Sequence, residues 1–395
     1  MPRTGLSESL RRQLVQGLAS RGFIRSARVR DAFLSVPREL FVGEFADREG
    51  LPAVYRDEAI LTKRDAQGTA LSSSSQPAIM ALMLEKLGLE KGMRVLEVGA
   101  GTGYNAALLS LLVGPRGRVV SVDIDRDLAR DARRSLRTGG YRVRVLPGDG
   151  REGVSEFAPY DRIVVTASSD TVPRAWFEQL QPGGLLEVPL RLSPTGAQAI
   201  PLLRKTRDGL RSVAMLCGGF MPLRPQGEDA AAVLKQPMLV ASDATSDGGA
   251  PVQQLSGEAL RTLSPRARRR LLSIALTEGR RRPLGLRASS SALTLFLSVR
   301  VPTRQLVTTA PRYGIGVIAR AGTSLAAIEP PFARPRSTVS SVRVFGSEDA
   351  EELLLGHVRD WERRGRPSED DLELTVTFDA GGESHVRTRW PRPFI

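Results

Sequence analysis

Ten residues, Val-Leu-Glu-Val-Gly-Ala-Gly-Thr-Gly-Tyr at Val95–Tyr104, carry the densest chemical signal of the 395-residue chain. They close an apolar run suited to a buried strand and open one suited to a helix. Gly99, Gly101 and Gly103 permit a tight turn and a close approach of backbone to a ligand. The helix start that follows offers unpaired N–H groups. Asp123, 20 residues beyond Gly103, ends the next expected strand, where a carboxylate can accept both hydroxyls of an adenosine ribose. Two ligands compete for such a turn. Read from Gly101, Gly-Thr-Gly-Tyr-Asn-Ala satisfies the G-x-G-x-x-A frame of a dinucleotide site. Against a dinucleotide stands Glu97, a negative charge where a pyrophosphate would sit but a sulfonium amino acid is welcome. The alternation of glycines from Gly99 is also a methyltransferase habit, and S-adenosylmethionine is the cofactor expected. Gly148-Asp149-Gly150 ends a third strand. Alone it is a polar turn; in this company Asp149 and Gly150 are expected beside the adenine amino group.

The elements that must position these residues alternate. Strands MRVLEVGAG, GRVVSVDID, YRVRVLPGDG, DRIVVTAS and GGLLEVPL are separated by helical stretches such as TGYNAALLSLLVG and RDLARDARRSLRTGG. That order predicts an α/β fold, a Rossmann-like, doubly wound parallel sheet with helices on both faces. Two helices are expected between Ser7 and Val42, and another from Pro77 to Gly88. Between them lie a polar connector, VYRDEAILTKRD, and the tract Leu71-Ser-Ser-Ser-Ser-Gln-Pro77, whose simplest reading is a flexible segment. AIPLLRKTRDGLRSVAMLCGG reads as a closing hairpin about Asp208-Gly209.

Composition narrows the function classes. One cysteine, Cys217, excludes an internal disulfide, and two histidines argue against a His-built metal site or a Ser-His-Asp hydrolase. No metal is expected. No stretch has membrane-spanning length, and a cytoplasmic protein is expected. The net charge of +14 leaves nucleic acid, an anionic surface or an acidic partner open. Aromatics at 5% give no stacking platform among the arginines, so nucleic acid is not the expected partner and Arg266–Arg270 and Arg280–Arg282 read first as solvated faces.

Several motifs occur in order: Val36-Pro-Arg-Glu-Leu-Phe-Val42, Ser75-Gln-Pro77, Val95–Tyr104, Gly148-Asp-Gly150, Ala158-Pro-Tyr-Asp161, Ile163-Val-Val-Thr-Ala167 and Gly183-Gly184. Together they resemble the signature set of protein-L-isoaspartate O-methyltransferases over about Leu10 to Leu223. The resemblance implies transfer of a methyl group from S-adenosylmethionine to a carboxylate of an isoaspartyl or aspartyl residue. It also implies Ser75 as the catalytic residue, with Ser74, Gln76 and Thr166 positioning the substrate. A carboxylate is already nucleophilic at neutral pH, so orientation suffices and no general base is required. The approach Tyr55–Ser72 and the appended C-terminal length depart from the family. Both are similar to a divergent branch that modifies an aspartate of ribosomally made peptides, so repair and peptide maturation both stay open. A degenerate methyltransferase fold serving as a binding module is the rival; three acceptors kept at strand ends, Glu97, Asp123 and Asp149, speak against it.

The expected organisation is a methyltransferase domain at 1–225, a linker at 226–255 rich in Gly, Ala, Ser and Asp, and a C-terminal α+β domain at 256–395 that engages a polypeptide substrate. In that last domain SALTLFLSVRV, YGIGVIAR and SVRVFG are expected as strands, with a closing strand pair at LELTVTFDAGGESHVRTRW. A fragment ending near Gly227 is expected to fold and bind the cofactor.

Overall fold

The computed structural model describes residues 2–195, 197–224, 238–241, 253–277, 279–284, 290–310, 314–319, 321–329 and 341–392. The chain forms two compact units. The first comprises Met1–Leu190, Ile200–Leu234 and Leu374–Arg387, and the second Arg191–Ala199, Lys235–Glu373 and Thr388–Ile395.

The first unit opens with helices α1 (Pro2–Ser20), α2 (Ala27–Ser35), α3 (Gly43–Glu49) and α4 (Leu51–Val54). Ser26 caps α2 by accepting the Val29 N–H, and Val29, Ala32 and Phe33 bury its apolar stripe. Two strands follow, β1 (Ile60–Arg64) and β2 (Ala70–Ser74), paired antiparallel from Ile60 opposite Ser74 to Arg64 opposite Ala70. The expected connector and serine tract thus form a hairpin. Its alternation is masked because serines stand on both faces of β2: Ser72 and Ser74 are buried, while Leu71 and Ser73 on the other face are half-buried. Helix α5 (Pro77–Leu87) starts on a proline and ends at the left-handed Gly88.

A parallel core of strands β3 (Arg94–Val98), β4 (Arg118–Asp123), β5 (Val143–Pro147), β6 (Tyr160–Val165) and β7 (Leu180–Glu187) alternates with α6 (Tyr104–Val113), α7 (Arg126–Thr138) and α8 (Arg174–Gln179). β8 (Gln198–Thr206) turns back antiparallel beside β7, and β9 (Gly209–Gly218) follows beside β8. Val95, Leu96 and Val98 of β3 are buried, as an interior parallel strand requires. This is the expected α/β architecture. With β6 and β4 on opposite sides of β3, the chain reverses direction of winding at the carboxyl end of β3, the place where such sheets open a crevice.

The second unit holds an antiparallel sheet of β10 (Met238–Ala241), β11 (Gln253–Ser256), β12 (Arg280–Pro283), β13 (Leu306–Ala310), β14 (Ile315–Ile318), β15 (Ser324–Glu329) and β16 (Ser341–Gly346), in the order β10-β11-β13-β14-β15-β16-β12. Its helices are α9 (Pro265–Ala275), α10 (Ser290–Arg300) and α11 (Asp349–Arg363). Leu255, Leu260, Leu271, Val307, Leu325 and Phe345 form one of its cores. β10 and all but the last residue of β11 fall inside the stretch expected as linker; 225–237 and 242–252 lie outside the described residues. Ser291–Val301, expected as a strand, is helix α10 and its end. Arg280–Arg282 are solvent-exposed, as expected; they lie on β12 and pair there with Glu348, Glu351 and Glu329.

The last two strands, β17 (Glu373–Phe378) and β18 (Ser384–Arg389), correct the expected boundary. They join the first unit's sheet, giving the order β18-β17-β9-β8-β7-β6-β3-β4-β5. β17 pairs antiparallel with β9, Thr375 opposite Arg211 and Val376 opposite Leu210. Sequence proximity had assigned this hairpin to the C-terminal domain, but the apolar edge of β9 recruits it across more than 150 residues, as Leu374 N–H donating to Ser212 Oγ shows (2.8 Å, 162 apart). Among the described residues no helix is long and apolar enough to cross a membrane.

Candidate active site

The carboxyl ends of β3, β4 and β6 open into a cavity of about 630 Å³. One wall is the glycine turn Gly99–Thr102 with Tyr104 and Asn105; the facing wall is Leu71–Gln76 of the hairpin and the start of α5. The two come close. A side-chain carbon placed on Gly101 would lie 3.7 Å from Ser72 Oγ and from the Ser73 carbonyl. Lys63 of β1 donates to Asp125 Oδ2 at 2.6 Å, and Asp125 caps α7, so the serine hairpin is fastened beside the end of β4.

Backbone conformation explains the glycines. Gly99 has φ +97°, and a Cβ there would lie 2.5 Å from Thr166 Oγ1. Thr166 donates that hydroxyl to the Gly99 carbonyl (2.6 Å) and its N–H to the Val98 carbonyl (2.9 Å), so β6 braces the turn. Gly150 lines the cavity where a Cβ would strike Val98. Gly103 does not reach the cavity wall; its bare Cα lets Ala132 and Leu136 of α7 pack against it.

Asp123 is buried, with Oδ2 accepting the Gly101 N–H (2.8 Å) and Oδ1 the Asp125 N–H (3.0 Å). Burial pushes its pKa up, while these two N–H groups and the charge of Arg224 oppose the shift. Each oxygen keeps lone pairs beyond these bonds, and Asp123 lines the cavity, which fits a pair of ribose hydroxyls. Asp123→Ala is therefore expected to weaken S-adenosylhomocysteine by about 1.5–3 kcal/mol, the worth of hydrogen bonds to a charged acceptor. Titration calorimetry checks it, and an unchanged affinity would remove Asp123 from the site.

Glu97 and Asp149 sit differently from the expectation. Neither lines the cavity. Glu97 is wholly buried, accepts from Asn105 Nδ2 (2.8 Å) and from Ser121 Oγ, and burial raises its pKa to about 7 against those bonds. Its reach to a ligand runs through Asn105, which does line the cavity. Asp149 accepts its own turn's Arg151 N–H (2.9 Å) and a two-nitrogen grip from the Arg151 guanidinium. On the facing wall Ser74 and Ser75 both line the cavity, and the buried Ser74 hydroxyl has no hydrogen-bond partner among the described residues. Gln76 stands at the rim and donates to the Asp57 carbonyl (3.0 Å).

Sequence reasoning passed over Asn105, Ile124, Leu128 and the segment Cys217–Arg224, all of which line the cavity. Asn105 had a signal, a lone amide in the first turn of an otherwise apolar helix. The segment had one too, since Gly218-Gly219 follows a strand directly. Backbone bonds from Ser168 N–H to Met221 O (2.8 Å) and from Leu223 N–H to Ser168 O (2.7 Å) draw it to the end of β6.

The family of protein-L-isoaspartate(D-aspartate) O-methyltransferases matches residues 9–224. A protein-L-isoaspartate O-methyltransferase of Thermotoga maritima is 45% identical over 181 residues, 46% of this chain and 56% of that protein. One of Ignicoccus hospitalis is 38% identical over 217 residues, 55% of this chain and 98% of that protein. A solved structure titled protein-L-isoaspartate O-methyltransferase superposes with a TM-score of 0.51 at 29% identity, covering 95% of this chain and 99% of its own.

Proposed function

We propose that this chain, which belongs to the protein-L-isoaspartate(D-aspartate) O-methyltransferase family, transfers a methyl group from S-adenosylmethionine to a carboxylate of an isoaspartyl or aspartyl residue in a protein or peptide. One observation carries the reading: the serine strand and the glycine turn face each other across a single cavity that also holds Asp123. S-adenosylmethionine, when bound, supplies an electrophilic methyl group on a sulfonium. Asp123 would hold the ribose, the Gly99–Gly101 backbone would admit the methionine portion, and Asn105, fixed by Glu97, would add an amide contact. The Ser75 hydroxyl would donate to the acceptor carboxylate and hold one oxygen in line for transfer, with the buried Ser74 behind it. That carboxylate is ionised at neutral pH. Positioning is therefore the main work of these residues, and no base is needed to create the nucleophile.

Extra length no longer separates repair from peptide maturation. A solved structure titled protein-L-isoaspartate O-methyltransferase matches along 95% of this chain, which supports reading the second unit as compatible with an isoaspartyl acceptor. An isoaspartyl acceptor is the reading retained. Purified protein, S-adenosylmethionine and a pair of peptides differing only in isoaspartyl or aspartyl linkage provide the test. Methyl ester, then methanol and a succinimide peptide, are expected from the isoaspartyl member. Product from the aspartyl member alone would move the assignment to peptide maturation. Ser75→Ala is expected to lower turnover by about 10²–10³-fold, the usual loss when one orienting hydrogen-bond donor is removed. S-adenosylhomocysteine affinity should be unchanged in that variant, and wild-type turnover would strip Ser75 of its role.

A further inference from the structure

Arg38, the charged centre of Val36-Pro-Arg-Glu-Leu-Phe-Val42, is fully buried. No carboxylate is among its hydrogen-bond partners; five carbonyls are. Its Nη1 donates to Val54 O (3.0 Å) and Arg56 O (3.2 Å). Its Nη2 donates to Glu58 O (3.0 Å), Ser74 O (3.4 Å) and Ser75 O (3.0 Å). Its guanidinium lies 5.9 Å from the ring centre of Tyr104, which lines the cavity. Its Nε is buried and has no hydrogen-bond partner among the described residues. Burying a cation whose hydrogen bonds go only to carbonyls is costly, and the charge of Asp57 offsets only part of its desolvation. A core needing only cohesion would fill this place with apolar side chains at less cost. The planar fork does what they cannot: it ties the turn before β1 to Ser74, the last residue of β2, and to Ser75 just beyond it in one fixed geometry.

We infer that Arg38 is a positioning residue for methyl transfer, acting through Ser75. By gripping the carbonyls of Ser74 and Ser75 from beneath, it sets where the Ser75 hydroxyl stands along the cavity wall. The inference rests on the acceptor role given to Ser75 above. Lysine keeps the charge but not the fork, and cannot reach the two carbonyl groups on either side at once. Loss of a fixed hydroxyl position costs rate, and a shift of about 1 Å is enough for roughly 10²-fold.

The test is a double-mutant cycle in the full chain, with initial rates on an isoaspartyl peptide and S-adenosylhomocysteine binding by calorimetry. Arg38→Lys and Arg38→Met are both made, and the one whose melting temperature stays nearest to wild type is carried forward. That variant is expected to lose about 10²-fold in kcat with KM for S-adenosylmethionine and S-adenosylhomocysteine affinity held. Combined with Ser75→Ala, it should be little slower than the slower single variant, because the two substitutions remove one function. Losses that multiply, or an equal loss of cofactor affinity, overturn the inference while leaving Ser75 in place. So does failure of both Arg38 variants to fold, which would make Arg38 a determinant of the fold. Wild-type turnover by Ser75→Ala alone overturns the inference together with the acceptor reading beneath it.

Discussion

Gly101→Val should leave the protein folded and without measurable affinity for S-adenosylmethionine or S-adenosylhomocysteine. Two effects combine at this residue. Its φ of +51° is a conformation that a β-branched side chain resists. Its missing side chain also faces the serine strand across the cavity, with Ser72 Oγ and Ser73 O 3.7 Å from a Cβ. A Cβ alone has room; the two methyl groups of valine would have to occupy the gap where the cofactor lies. The backbone effect propagates, since Gly101 N–H is a donor to Asp123 and a displaced turn disturbs the ribose carboxylate. An enzyme binding its cofactor at micromolar strength, about −8 kcal/mol, would fall outside the range of calorimetry after a loss of about 3 kcal/mol. Gly140→Val is the control. Gly140 has φ +73° and open space around its Cα, so it carries the conformational strain without the cavity. Its melting temperature should fall while its affinity holds. Micromolar affinity in Gly101→Val would sink the cofactor assignment.

Much of this site was legible because its chemistry is tied to local backbone geometry. A glycine forced to a positive φ at the end of a buried strand leaves the same trace in sequence as in structure, and so does a carboxylate at the end of the neighbouring strand. Glu97 and Asp149 were harder. Both are acids at strand ends, but whether such an acid faces a ligand or is consumed by neighbours depends on Asn105, Ser121 and Arg151, and spacing does not say which way each points. Ser291–Val301 failed for another reason. An apolar run with Val, Thr and Phe reads as a strand, yet Ala292, Leu293, Leu295, Phe296 and Leu297 are all buried, and all-round burial erases the period that would have marked a helix. The β17–β18 hairpin failed on distance in sequence. Its partner strand lies more than 150 residues earlier in the chain, and alternation in Leu374–Val376 announces a strand without naming its neighbour.

That hairpin sets the expected behaviour of a fragment ending at Gly227, which is to lose on the order of 10 °C in melting temperature and to self-associate. Leu374 and Val376 are fully buried, and the Phe378 ring lies tilted against Phe177 with ring centres 5.1 Å apart. Burying the two aliphatic side chains alone is worth about 1.5–3 kcal/mol each, an upper figure. Bonds from Leu374 N–H to Ser212 Oγ (2.8 Å) and from Val172 N–H to Ser384 Oγ (3.0 Å) add about 1 kcal/mol each. A loss of several kcal/mol is a large part of the roughly 5–15 kcal/mol that holds a domain folded, and about 2–4 °C per kcal/mol sets the scale of the shift. Removing β17 also bares the edge of β9, an invitation to pair with another chain. The fit is close at Gly209, where a Cβ would lie 2.1 Å from Val376 O, so the turn between β8 and β9 is shaped to receive the hairpin. Joining residues 372–389 to the fragment through a Gly/Ser linker should restore both melting temperature and monomeric behaviour. Every residue lining the cavity lies between Ala59 and Arg224, so soluble fragment, with or without the hairpin, should bind S-adenosylhomocysteine as the full chain does. Equal melting of the two fragments would show β9 stable as a bare edge and return the first domain to the boundary near residue 225.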